Sequence, residues 1–307
     1  MADLASAPGA NVAAVDIGTN SVRLLITDAG GRELERSMQI TRLGQGVDVT
    51  GSLQPDAIAR TAQVLSRYAS AIAQHEVTRV RATPTSAARD AKNNETFFDA
   101  AQSALGVRPE LLSGEEEALL SFRGATSGLT SSEGPFLVFD IGGGSTEFVL
   151  GQSQPDSLIS VQMGCVRMTE RHLKSEPPTR EQLDACIADV RRELVRVREV
   201  VDVQRAARAI GLAGTVTALA AMQQGLDHYD ASRTHRSLLS RAQVEALFER
   251  LCVADLSERR RLLAEPQRAE VIVGGAAVLV TILREFEIDE LLVSEQDILD
   301  GLAASLR

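Results

Sequence analysis

The stretch Val12-Ala-Ala-Val-Asp16-Ile-Gly18-Thr-Asn-Ser21-Val-Arg-Leu-Leu-Ile26 returns later as Phe136-Leu-Val-Phe-Asp140-Ile-Gly142-Gly-Gly-Ser145-Thr-Glu-Phe-Val-Leu150. The offset is 124 residues throughout, with Asp, Ile, Gly and Ser kept and apolar positions matched on both flanks. Each copy reads as a buried strand, a Gly-rich turn and a second strand, which is a hairpin. An Asp at the end of an apolar strand is costly to bury unless it is paired or binds a metal. Glycine lets the backbone approach a ligand closely, and the N–H groups that follow can point at phosphate oxygens. Two such hairpins facing each other across a cleft would clamp a polyphosphate from both sides. The duplication therefore predicts two similar α/β units around one anion site.

Composition excludes several other readings. A chain of 307 residues suits two domains, and 44% hydrophobic with 24% charged residues is a globular balance. Net charge is −10, with no Trp and only two Tyr, which argues against DNA or RNA as a partner. The longest apolar run, Val271 to Leu283, is short and broken by Gly274-Gly275, so no membrane span is expected. The opening MADLASAPGA has neither a basic nor an apolar leader region. Cys165, Cys186 and Cys252 form no CxxC and are expected as free thiols in a cytoplasmic protein. No Gly-Lys pair exists for a P-loop, and no GxSxG elbow is present. The four histidines lack zinc-site spacing, so any metal is expected to be a hard cation held by carboxylates. Only Lys92 and Lys174 are lysines, which leaves phosphate binding to guanidinium forks and backbone N–H groups.

Further motifs accompany the two hairpins: Thr83-Pro-Thr-Ser-Ala-Ala-Arg89-Asp-Ala-Lys-Asn93, Ser113-Gly-Glu-Glu-Glu117-Ala, Met163-Gly-Cys-Val-Arg167 and Gly211-Leu-Ala-Gly-Thr215. With Asp140-Ile-Gly-Gly-Gly-Ser-Thr-Glu147 they make the chain resemble the actin-like ATPase superfold, and most closely the exopolyphosphatase and guanosine-pentaphosphate phosphohydrolase (Ppx/GppA) family. The resemblance runs from residue 12 to about 300, in the family's order. It implies an α/β protein of two similar actin-like (ribonuclease H-like) domains facing each other across a cleft. Domain I is expected over 1–125 and domain II over 126–295, with the last helix, 296–307, returning to domain I. The Gly-rich stretch Gly124 to Pro135 marks the junction.

Roles follow by the same resemblance. Glu117 matches the general base that activates water, although composition alone makes it a solvated acid. Its neighbours Glu115 and Glu116 are explained by a capping box from Ser113 and by the helix dipole. Asp16, Asp140 and Glu147 match metal-site acids for Mg²⁺, with a monovalent cation such as K⁺ also compatible. Gly18, Thr19, Asn20, Ser21, Gly142, Gly143, Gly144 and Ser145 are phosphate-binding candidates, as is Arg89. Asn20 also suits a left-handed turn on its own. Arg23 and Arg167 are weaker phosphate candidates, and Gly211 to Thr215 reads as a nucleoside-binding or purely structural turn.

Elsewhere the patterns predict helices from Pro55, Ser86, Thr179 and Arg241, a strand over Val107 to Leu112, and a helical stretch over Arg268 to Phe286. Arg191-Arg192 and Arg259-Arg260-Arg261 read as solvated helix faces. Two departures from the family stand out. Leu299-Asp300-Gly301 replaces its usual Arg-Glu-Gly, and the resemblance implies the short two-domain form rather than the longer one with added helical domains. The substrate implied is inorganic polyphosphate, of modest length, or pppGpp; a homodimer is the expected assembly.

Overall fold

The computed structural model describes residues 10–307. The first nine residues, part of the segment read above for a leader, lie outside the described residues. The duplicated stretches fold as their patterns demand. β1 (Val12–Ile17) and β2 (Ser21–Thr27) pair antiparallel and join β3 (Glu33–Ile40). After α1 (Val47–Thr50) and α2 (Pro55–Gln74), β4 (Arg79–Pro84) adds to β1 in parallel, giving the sheet order β3-β2-β1-β4. α2 starts on Pro55, whose fixed φ suits the first helical turn. Its buried stripe, including Ile58, Leu65, Tyr68 and Ile72, covers one sheet face together with Phe97 and Ala101 of α4 (Asn94–Leu105), which follows α3 (Ser86–Asp90).

α5 (Gly114–Ala125) leads into the second copy, β5 (Phe136–Ile141) and β6 (Thr146–Gly151), again antiparallel and buried throughout. β7 (Pro155–Val161), α6 (Cys165–His172), α7 (Arg180–Val200), β8 (Arg208–Leu212) and α8 (Ala213–Gln223) follow. Then come α9 (Ala231–Thr234), β9 (Leu238–Ser240), α10 (Arg241–Val253), α11 (Leu256–Leu262), α12 (Ile272–Glu285), β10 (Glu290–Val293) and α13 (Ile298–Ser305). The second sheet has the order β7-β6-β5-β8-β10-β9, with β8 parallel to β5 and β10 parallel to β8. α7, α8, α10 and α12 enclose one face in the largest core cluster. α12 is apolar on every side because it lies inside that core. None of the described helices is long and apolar enough to cross a membrane.

α5 and α13 position the site. Ala118 and Phe122 of α5 pack on the second sheet, while Leu120 meets α13 and the first sheet at Ala14 and Leu25. α13 buries Ile298, Leu299 and Leu302 there, each contributing on the order of 1.5–3 kcal/mol of hydrophobic stabilisation. The helices touch backbone to backbone. A Cβ on Gly301 would lie 2.2 Å from the Leu120 carbonyl oxygen, and one on Gly124 would lie 1.9 Å from that of Asp297.

Four local expectations need correction. Val107 to Leu112 is irregular chain rather than a strand, tied to β4 by the Glu110 N–H to the Ala82 carbonyl, 2.9 Å; Pro109 can donate no ladder bond. Gly211 is not a turn residue but lies within β8; the bend comes at Ala213, with φ at +67°. Asn20 is not left-handed, since it is absent from the positive-φ residues; its carbonyl instead accepts N–H groups of Thr41 and Arg42. Arg259 is buried rather than solvated. Its Nε donates to the Leu251 carbonyl at the end of α10, where helical partners run out, and its guanidinium pairs with Glu176.

Candidate active site

The two hairpin turns meet each other. A Cβ on Gly143 would approach Thr19 Cβ to 2.7 Å, and one on Gly144 would approach Ser86 Oγ to 2.2 Å. A Cβ on Gly164, just before α6, would sit 2.4 Å from the Gly143 carbonyl. None of Gly18, Gly142, Gly143 or Gly144 has positive φ, so at these turns glycine serves close approach rather than an unusual dihedral. A cavity of ≈ 100 Å³ opens beside the seam. The acids Asp16, Glu117, Asp140 and Glu147 line it, as do Gly18, Thr19, Asn20, Ser21, Gly142 and Gly143. Gly144 faces a second, smaller cavity with Thr19 and Ser86, and Ser145 is buried with its carbonyl accepting the Gly142 N–H.

Each acid has a positioning partner. The capping box forms as expected, Ser113 Oγ accepting the Glu116 N–H at 3.1 Å and Glu116 accepting the Ser113 N–H at 2.9 Å. That geometry leaves Glu115 and Glu116 in solvent and turns Glu117, one position on, inward to 7% exposure. Arg89 does not line the cavity; its Nη1 donates to Glu117 Oε2 and to the Leu112 carbonyl, both at 3.1 Å. Ser121, one helical turn after Glu117, donates to Asp140 Oδ2 at 2.9 Å. Ser160 of β7 donates to Glu147 Oε1 at 2.7 Å. Arg23 places Nε and Nη2 on Asp16 Oδ2, at 3.0 and 2.7 Å, and turns Nη1 to Asp297.

Burial pushes every one of these acids upward. Asp140 rises to about 8 through burial and the charges of Asp297 and Glu147, against the pull of Arg23 and the Ser121 hydroxyl. Glu117 rises well above the carboxylate range through burial and Glu147, with Arg89 opposing. Glu147 and Asp16 are also raised, again chiefly by burial. Such a site favours protonated acids unless a cation relieves it. Asp16 Oδ1 is buried with no hydrogen-bond partner; Asp140 accepts from the Ser121 hydroxyl, and Glu147 from the hydroxyls of Ser160 and Ser145. Among the described residues no three acidic, His or Cys side chains form a closed metal cage. Mg²⁺ needs none, because it takes one or two carboxylates and completes its shell with water and phosphate oxygens. The donor set fits that ion.

Several neighbours carry no signal along the chain. Arg268 lines the cavity, held by Glu265 Oε2 at 2.6 Å, and passes so close to Gly214 that a Cβ there would lie 1.9 Å from its Nη1. Thr215 and Cys165 also line the wall, so the Gly214 turn belongs to the site. Cys165 is buried and its thiol pushed up by burial, and all three cysteines are free. Arg167 is a strut rather than an open anion site. Its Nε donates to the Gly144 carbonyl at 2.7 Å, while Nη1 and Nη2 reach Asp48 and Asp90 at 2.5 and 2.6 Å.

With this geometry in view, the model of the Ppx/GppA phosphatase family matches residues 26–306. The chain belongs to that family. It is 44% identical to a protein named exopolyphosphatase 2 from Mycobacterium tuberculosis, over 96% of this chain and 98% of that one. A Vibrio atlanticus guanosine-5'-triphosphate,3'-diphosphate pyrophosphatase is 29% identical over 95% of this chain but 58% of its own length. Among solved structures, the Aquifex aeolicus member of the Ppx/GppA family superposes with a TM-score of 0.79 at 34% identity, covering 97% of each chain. The two-unit α/β fold of this phosphatase family is thus the fold of this chain.

Proposed function

We propose that this phosphatase is an exopolyphosphatase, releasing orthophosphate from the ends of inorganic polyphosphate. The observation that carries the reading is Glu117, buried at a cavity walled by two Gly-rich turns and three further acids. The 44% identity to a protein named exopolyphosphatase 2, along nearly the whole of both chains, supports the same substrate.

In this reading the N–H groups of the Gly142–Ser145 and Gly18–Ser21 turns hold the phosphoryl oxygens, as backbone donors do in other phosphoryl-transfer sites. Mg²⁺, held through Asp16, Asp140 and Glu147, would neutralise phosphate charge. Glu117 accepts a proton from water, the water oxygen bonds to the terminal phosphorus, and the bridging P–O bond breaks. The electron pair leaves with the shortened chain. Arg89 keeps the Glu117 carboxylate aimed, and its charge opposes the burial that would protonate it.

A second reading, removal of the 5'-terminal phosphate of pppGpp, has its own support. An adjoining cavity of ≈ 180 Å³ shares Arg23, Gly214 and Arg268 with the first and adds the apolar walls of Met38, Tyr229 and Leu299. Initial rates of phosphate release with Mg²⁺ from short polyphosphate, long polyphosphate and pppGpp, side by side, decide between them. Faster release from polyphosphate is expected. No release from polyphosphate of any length would overturn the proposal.

A further inference from the structure

The N-terminal end of α13 reaches the floor of the site. Asp297 caps that helix, its Oδ1 accepting the Leu299 N–H at 3.0 Å, and is 2% exposed. Its other oxygen takes Nη1 of Arg23. The remaining edge of the same guanidinium, Nε and Nη2, grips a single oxygen of Asp16, leaving Asp16 Oδ1 without a partner. A guanidinium facing one carboxylate alone would favour a two-oxygen fork and cancel its charge. Here two buried carboxylates share one guanidinium, so the group keeps one net negative charge and one unpaired oxygen.

We infer that Asp297 is a positioning residue for the cation site: by engaging Arg23 from behind, it keeps Asp16 Oδ1 free and the Asp16–Arg23–Asp297 group anionic. The inference rests on the reading of Asp16 as a Mg²⁺ ligand and extends the site to the residue that caps α13. Ser121 and Ser160 hold Asp140 and Glu147 without neutralising them. Among the three proposed ligands Asp16 is the one with a cationic partner, and the one with a second acid behind that partner.

The test measures Mg²⁺ and Mn²⁺ binding to the full chain without substrate, by calorimetry and by Mn²⁺ spin resonance. Asp297→Asn and Asp297→Ser both retain a side chain able to cap α13 while removing the charge. Each is expected to weaken ion binding about tenfold, the lower part of the range for removing an outer-shell partner of a metal ligand. At saturating Mg²⁺, KM for polyphosphate should stay within about twofold of the parent value. Asp300→Asn is the control. Asp300 closes the same capping box and pairs with Arg36, but does not touch Arg23. It should lower the melting temperature and leave ion binding unchanged. Unchanged binding in both Asp297 variants would overturn the inference, as would equal weakening in Asp300→Asn. If Asp297→Asn fails to fold, Asp297→Ser gives the same reading. A parent protein that binds no divalent ion would instead overturn the metal reading, and this inference with it.

Discussion

In the first hairpin the residue across from the buried Asp16 is Arg23; in the second, the residue across from Asp140 is Glu147. These positions correspond under the 124-residue offset that relates the two copies. One duplicated scaffold therefore carries opposite charge at the same cross-strand site. The first hairpin offsets its acid and stays close to neutral. The second concentrates acid, and with Glu117 beside it becomes a place where carboxylates raise one another and a cation is welcome. The copies teach that a repeated backbone fixes where functional groups stand, while a single side chain decides what each copy does.

The largest expected effect comes from the acidic side. Glu117→Gln keeps the shape and removes the base, and steady-state phosphate release should fall by about 10²–10⁴-fold with the fold intact by circular dichroism. Activity near that of the parent would remove Glu117 from the chemistry. On the neutralised side, Arg23→Met leaves Asp16 and Asp297 buried without their shared cation. Chemical denaturation should show a loss of about 3 kcal/mol; an unchanged midpoint would mean that the first hairpin does not need its counter-charge.

The seam between the copies offers a smaller effect. Gly143→Ala puts a methyl against Thr19 and should cost about 1–3 kcal/mol, measured the same way. The remaining effect is a pH trend that tells the hairpins apart. Asp140 stands at about 8 against an unfolded value of 3.8, so between those values the native state holds more protons than the unfolded chain. Stability must then fall as pH rises through that window. Without divalent ions, the melting temperature should drop from pH 5 to pH 8, and Asp140→Asn should flatten the drop. Added Mg²⁺ should offset it in the parent. A melting temperature that rises over this range would contradict the electrostatics of the second hairpin.

Much of the fold was legible because each hairpin opens on an apolar strand that ends in Asp-Ile-Gly, a pattern that leaves a strand little choice. α2 announced itself by its Pro start and its apolar stripe, and α5 by the Ser113 box. Asp16, Asp140 and Glu147 were legible for the same reason, since each sits at a fixed distance from a Gly-rich turn, whereas Glu117 was legible only through the family resemblance. What could not be read are contacts made at long range. Arg268 and Arg167 resemble any helix arginine in the sequence; the first is singled out by Gly214 and the second by Asp48 and Asp90, all distant along the chain. Arg259 was misread because its partner is the spent carbonyl end of another helix, which has no sequence signal. Val107 to Leu112 was misread because alternating apolar and charged residues around one proline carry no record of having a single neighbour to bond.

Arg23 and Asp297 lie 274 positions apart in the chain. During synthesis the ribosome therefore completes the first hairpin long before the acid that balances it exists. Until α13 emerges and docks, Arg23 has only Asp16 to hold, and the first sheet lacks the helix that covers Ala14 and Leu25. β1 is thus translated long before the helix that finishes its packing. Whatever protects a nascent sheet in the cell must protect this one until the residues of α13 have been made.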